Sequence, residues 1–86
     1  MTIHDMIDGY LNAHNAVKQL RKSEQLMLSR IFVSVVQSSP PQDHLQRVGE
    51  LMAYCSLALT DNQGIEIKLA RIANKALEIM FRDEEG

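Results

Sequence analysis

Apolar residues recur along most of the chain at the three- and four-residue spacing of an amphipathic helix. The segment SEQLMLSRIFVSVVQS, Ser23 to Ser38, shows it most clearly. Its β-branched run from Ile31 to Val36 would also suit a strand, but Ser23 can cap a helix, Glu24 suits a first turn, and no second strand is predicted to pair with it. We therefore predict a helix with an inward face of Leu28, Ile31, Phe32, Val35 and Val36.

The next stretch, SSPPQDHL from Ser38 to Leu45, contains both prolines. With Ser39 as N-cap, Pro40 takes the first helical position and Gln42 the third, which is the Ser-x-x-Gln form of a capping box. A helix is predicted from Pro40 to about Leu59, with Leu45, Val48, Leu51, Met52, Cys55 and Leu59 facing inward. Its interior Gly49 costs about 1 kcal/mol relative to alanine, and either allows a neighbouring helix to approach closely or is simply tolerated.

A last helix follows the stretch LTDNQGIE, in which either Thr60 with Gln63 or Asp61 alone can cap its start. It is predicted to run to about Phe81 or Arg82. Its inward residues are Ile65, Leu69, Ile72, Ala73, Ala76, Leu77 and Met80. The acidic tail RDEEG is predicted to fray.

The N-terminal stretch gives a weaker helical pattern. A stripe of Ile3, Ile7, Leu11, His14 and Val17 is interrupted by Gly9, Asn12 and Asn15. We predict one all-α domain over residues 1–86, in which 1–22 form a weakly ordered segment with a marginal helix and 23–82 form the helical core. The short connections predict antiparallel helical hairpins built from three main helices.

Composition supports a small helical domain. The chain has 86 residues, of which 45% are apolar, with no Trp, two Phe, two Tyr and five Met, so an aliphatic core is expected. Nine basic and eleven acidic residues argue against a strongly basic nucleic-acid binder. The single cysteine excludes an internal disulfide, and the cysteine and histidines lack zinc-site spacing. With no membrane-length apolar run and no signal peptide, we expect a cytoplasmic protein without metal, cofactor or membrane contact.

No catalytic constellation is present, so we expect no enzymatic activity. Cys55, the best nucleophile by residue type, falls on an inward helix face, where a buried structural cysteine is expected. The histidines His4, His14 and His44 are either pH-sensitive groups or ordinary polar residues.

Two basic clusters are candidate contacts for DNA or an acidic partner. The first lies along one side of the last helix and consists of Lys68, Arg71, Lys75 and Arg82. The second precedes the first main helix and consists of Lys18, Arg21 and Lys22. The alternative for the first cluster is a solvated face in which Glu78 pairs with Arg82.

Further apolar residues fall beside the predicted inward stripes: Leu26, Met27, Val33, Leu57, Ile67 and Ile79. Exposed apolar patches of this kind usually mark protein contacts. We therefore predict a homodimer or partner face, with a wide internal core as the alternative.

Three segments resemble a known family: TIHD at Thr2 to Asp5, SEQLMLSRIFVSVVQS, and LARIANKALEIMFR at Leu69 to Arg82. Together they are similar to the AriR/YmgB family of small enterobacterial biofilm and acid-resistance regulators, although SSPPQDHL departs from the glycine- and asparagine-type turn expected there. The resemblance implies a non-enzymatic helical homodimer, similar in shape to Hha-type nucleoid modulators. It also implies a connector of two-component phosphorelay signalling in biofilm, capsule and acid-stress regulation, for which DNA binding has been proposed.

The sequence therefore predicts a stress-response and transcription regulator that acts through protein–protein contacts, with a response regulator as the type of partner. Two alternatives remain open. One is a weak, largely nonspecific DNA-binding modulator, and the other is a small helical chaperone for a secreted or regulatory partner.

Overall fold

The computed structural model describes residues 2–82 and contains five α-helices, with no strand in that part of the chain. The helices are α1 (Ile3–Ala13), α2 (Asn15–Lys18), α3 (Lys22–Gln37), α4 (His44–Leu59) and α5 (Ile65–Met80), and a 3₁₀ turn at Pro41–Asp43 precedes α4. The predicted all-α fold class is confirmed. The prediction of a frayed tail concerns mainly residues 83–86, which lie outside the described residues.

The three long helices α3, α4 and α5 contact one another, and α1 packs on α3 and α4. Their shared core is aliphatic apart from one ring, that of Phe32, which is fully buried. The core side chains are Ile7, Leu11, Val17, Leu28, Phe32, Val35, Val36, Val48, Leu51, Cys55, Leu59, Leu69, Ile72, Ala76 and Ile79. The predicted inward face of α3 is confirmed, with Ile31 half-buried at its edge.

Three inward or outward assignments were wrong. Leu45 is 67% exposed because it lies in the first turn of α4, next to the proline turn and away from the buried centre of the helix. Leu77 is 47% exposed and Ile79 is fully buried, because the buried face of α5 follows Leu69, Ile72 and Ala76 to Ile79 rather than to Leu77.

A methyl group at Gly49 would meet no other atom within 4 Å among the described residues, so close packing against another helix does not explain this glycine.

The predicted caps of α3 and α5 were also wrong. α3 begins at Lys22, where the backbone N–H of Arg21 donates to Glu24 Oε1 at 2.9 Å, and Ser23 lies inside the first turn. α5 begins after Gly64, whose extended backbone sets the helix start. The Thr60 hydroxyl instead donates to the Leu57 carbonyl at 2.8 Å, at the end of α4.

Ser39 has a different role from the N-cap expected in SSPPQDHL. Its buried hydroxyl donates to the Val35 carbonyl at 2.6 Å and accepts from Arg47 Nη1 at 3.1 Å. Arg47 is itself buried and pairs with Asp43 at 3.6 Å. The capping box is absent because the Pro40 carbonyl accepts from the Asp43 N–H, which closes a 3₁₀ turn before α4 begins. Two residues of this stretch, Ser39 and Asp43, therefore hold the buried side chain of Arg47 in place.

We predict that Ser39→Ala lowers the free energy of unfolding by about 1–2 kcal/mol, because buried Arg47 loses a hydrogen-bond acceptor. Gln42→Ala changes an exposed side chain and should cost less than about 0.5 kcal/mol. Urea unfolding of both variants measures the difference. Equal losses would instead support the capping box.

The N-terminal stripe is divided between two helices. The Thr2 hydroxyl accepts from the Asp5 N–H, and the Asp5 carboxylate accepts from the Thr2 N–H, both at 3.1 Å, so a capping box begins α1. At His14 the backbone is extended, and Nδ1 of its ring accepts from the Ala16 N–H at 3.2 Å, which begins α2. The weak order predicted for residues 1–22 stays a prediction.

Tyr10 attaches α1 to the core. Its hydroxyl donates to the Met52 carbonyl at 3.0 Å and hydrogen-bonds the Ser56 hydroxyl, while its ring lies 6.0 Å from the Phe32 ring. Burial raises the pKa of the Tyr10 hydroxyl, against the lowering effect of its bond to Ser56. This side chain therefore links α1 to both α3 and α4.

We predict that Tyr10→Phe costs about 1 kcal/mol of stability and speeds amide hydrogen exchange in α1, because the bond to α4 is lost while the ring remains. Tyr54→Phe is the matched control, since it keeps the ring over which Lys75 lies. Unchanged exchange of the α1 amides in Tyr10→Phe would contradict this role.

Candidate functional site

The basic stripe of α5 lies on the side that faces α4. Lys68 Nζ donates to the Leu59 carbonyl at 3.1 Å and so satisfies an end group of α4. Arg71 bonds the Asp61 carboxylate at 3.1 Å, with 51% of its side chain exposed. The first half of the stripe therefore joins the end of α4 to the start of α5.

The second half of the stripe converges on Glu50 of α4. Lys75 lies 3.8 Å from the Glu50 carboxylate, and Arg82 hydrogen-bonds it through two guanidinium nitrogens. The Arg82 bonds lower the pKa of Glu50, although burial acts in the opposite direction. Lys75 also lies 5.7 Å from the centre of the Tyr54 ring. The charges of this half stabilise the packing of α4 against α5.

The predicted pair of Glu78 with Arg82 gives way to a different arrangement. Glu78 pairs with Lys75 at 3.3 Å, and Arg82 reaches across to Glu50. Arg82 therefore bonds a carboxylate on the facing helix, while the carboxylate four residues before it pairs with Lys75.

The second basic cluster belongs to a different pair of helices. Lys18 ends α2, Arg21 immediately precedes α3, and Lys22 lines a shallow depression between α1 and α3 that also includes Asp8 and Leu26. The first cluster instead lies between α4 and α5. The contacts of the two clusters thus involve different helix pairs, and DNA contact by either stays a prediction.

We predict that Lys68→Met lowers the free energy of unfolding by about 0.5–1 kcal/mol, because a terminal carbonyl of α4 loses its cationic donor. Lys22→Met is the control, since its charge at the N-terminal end of α3 opposes the helix dipole and its removal should cost nothing. Thermal unfolding monitored by circular dichroism measures both. Equal stability of the two variants would show that the Lys68 bond contributes nothing.

The apolar residues predicted as one dimer or partner face are spread over three helices. Ile79 is 0% exposed and does not belong to any surface, because it lies on the buried face of α5, while Val33 is half-buried. Leu26 and Met27 lie on opposite flanks of α3, towards α1 and α5 respectively. Leu57 is 74% exposed on α4 and Ile67 is 46% exposed on α5. Whether the exposed members contact a partner stays a prediction.

An apolar groove of about 610 Å³ runs between α3 and α5. Its lining includes Met27, which is 51% exposed, and two small side chains, the exposed Ala70 and the half-buried Ala73. The remaining lining residues are Glu24, Arg30, Ile31, Ile65, Glu66 and Leu69. Small side chains allow a helix to approach closely, and methionine adapts to the shape of its neighbour. Sequence reasoning missed this groove, although the three-residue spacing of Ala70 and Ala73 was a signal for it.

Cys55 and His44, two of the candidate chemical groups, have structural roles. Cys55 is fully buried, and burial raises the pKa of its thiol to about 11, which leaves little thiolate at neutral pH. His44 Nε2 hydrogen-bonds the Ser39 carbonyl at 2.9 Å. Within residues 2–82, no group of three or more His, Cys, Asp or Glu side chains is placed to hold a metal ion.

Comparison with protein-family models, with curated proteins and with solved structures finds no match. None of the helices in the described part of the chain combines the length and apolar character needed to span a bilayer.

Proposed function

We propose that this chain is a small non-enzymatic regulatory protein that binds another protein through the groove between α3 and α5. The observation that carries the proposal is the groove itself, whose mostly apolar lining includes the two small residues Ala70 and Ala73. Grooves of this kind accept the apolar face of an amphipathic helix. The proposed occupant is such a helix, belonging to a regulatory protein.

The charges around the groove define which helix would fit. Glu24 and Glu66 lie in the first turns of α3 and α5, and Arg30 lies further along α3. A complementary helix carries a basic side chain near one end and an acidic side chain further along. This charge pattern fixes the direction of binding and discriminates against reversed helices.

The resemblance to the AriR/YmgB family supports a response regulator of a two-component phosphorelay as the partner, in the cytoplasm and in biofilm or acid-stress regulation. The antiparallel hairpin arrangement of successive helices is part of the same proposal. It is supported by the contact of Lys68, near the start of α5, with Leu59 at the end of α4. The contact of Arg82 with Glu50 points in the same direction.

A DNA-binding modulator of the Hha-like type is the second candidate. Lys18, Arg21 and Lys22 favour it, because their side chains are exposed and can bind a phosphate without breaking a contact between helices. The stripe on α5 favours it less, since its side chains bond α4 and its connecting turn. A helical chaperone would use the same groove as the regulatory protein and differs only in the identity of the bound helix.

A photo-crosslinking residue at position 27, in the native cell, tests the groove. We expect one dominant crosslinked protein, identified by mass spectrometry, and loss of the product on Arg30→Glu, which would place three acidic side chains around the groove. The same photo-crosslinker at Gln37, exposed at the end of α3, is the matched control and should give no dominant product.

The identity of the crosslinked protein decides between the candidates. A response regulator supports the proposal, whereas a secreted subunit supports the chaperone. Retention on a DNA duplex that falls steeply with salt, combined with no protein crosslink at position 27, would replace the proposal by DNA binding. Equal crosslinking from positions 27 and 37 would rule out the groove.

A further inference from the structure

The outward face of α5 carries a second apolar pattern, separate from its buried face. Ile67, Ala70, Asn74, Leu77 and Phe81 follow one another at alternating spacings of three and four residues, and all five are exposed. The three large apolar side chains among them are 46%, 47% and 53% exposed. This spacing is the a and d pattern by which two helices form a coiled-coil seam.

We propose that this seam is a self-association site, on which α5 of a second copy packs in parallel and in register. The proposal goes beyond binding in the groove. The seam shares Ala70 with the groove lining, but it extends past Ala73 to Leu77 and to Phe81, the C-cap of α5. It places the homodimer contact on one helix instead of on the scattered residues predicted from sequence.

Asn74 points to a second copy as the occupant. In a parallel pair each seam residue faces its own counterpart, so the two Asn74 amides meet and hydrogen-bond each other. An antiparallel pair sets a positions against d positions, so each Asn74 would face Ala70 or Leu77 of the other copy and its amide would meet a hydrocarbon side chain. The parallel arrangement is therefore favoured over the antiparallel one.

The charges beside the seam are complementary in the same arrangement. Glu66 and Arg71 flank the seam five residues apart, at the g and e positions. In a parallel pair Glu66 of each copy lies near Arg71 of the other, which gives two symmetric ion pairs. Among residues 2–82, Arg71 pairs with Asp61 alone, and exposed pairs of this kind contribute little stability, so Arg71 is able to exchange partners.

The extent of the seam sets the strength of the pair. It covers little more than two heptads and has alanine at one of its two d positions. Coiled coils of this length associate weakly, so the dimer should form and dissociate with protein concentration rather than persist on dilution.

Sedimentation velocity of the full chain across a wide concentration range tests the proposal. We expect a monomer–dimer equilibrium that Leu77→Lys abolishes and that Leu57→Lys, the same change on the exposed face of α4, leaves intact. Asn74→Leu should strengthen association, since it replaces a polar seam residue by an apolar one. That gain cannot result from unfolding, so the test stands even if Leu77→Lys folds poorly.

A disulfide at Ile67→Cys tests the parallel register. Mild oxidation should give a covalent dimer, because position 67 faces its counterpart only in the parallel pair, and the wild-type chain is the control because its Cys55 is buried. A monomer at every concentration, a dimer that survives Leu77→Lys, or no disulfide from a dimeric Ile67→Cys would each overturn the proposal. Crosslinking at position 27 that persists in Leu77→Lys would show that the groove functions without the seam.

Discussion

The fold depends on burial around α4, because this helix contacts all four of the others. Its side chains Val48, Leu51 and Cys55 are fully buried, and each lies at the centre of the core. The apolar surface of a chain of this size is small, so most of the favourable burial must come from one contiguous core. A cavity beneath α4 would therefore weaken every helix contact at once.

The polar contacts of α4 determine how the other elements are placed around that core. Tyr10 brings α1 to one flank, while Lys75 and Arg82 hold α5 on another through Glu50. Beneath the proline turn, Arg47 ties the start of α4 to the end of α3 through Ser39. The groove between α3 and α5 and the outward face of α5 are not used by these contacts and are open to other molecules.

Helical periodicity was sufficient to predict the class of the fold and the buried face of α3. Periodicity did not predict the helix ends correctly, nor which residues of α5 face the core. At SSPPQDHL the local pattern predicts that Ser39 caps a helix. Its hydroxyl instead accepts a hydrogen bond from the buried Arg47, a tertiary contact that the local pattern does not contain. In α5, Leu77 and Ile79 are two residues apart and lie on nearly opposite sides of the helix, so only one of them can face the core, and the buried face of Leu69, Ile72 and Ala76 includes Ile79. The spacing of Ala70 and Ala73 indicates that another helix could approach α5, but the groove itself depends on the distance between α3 and α5, which spacing along one helix does not contain.

The burial of Cys55 has a consequence for how this protein can respond to oxidising conditions. Its thiol is the only one in the chain, it is fully buried, and its raised pKa keeps it protonated. Oxidants and alkylating reagents attack the thiolate of accessible cysteines. Modification of this residue therefore requires the core to open, and the rate of thiol labelling reports how often it does so. While the core is closed, an oxidant therefore cannot act on this thiol.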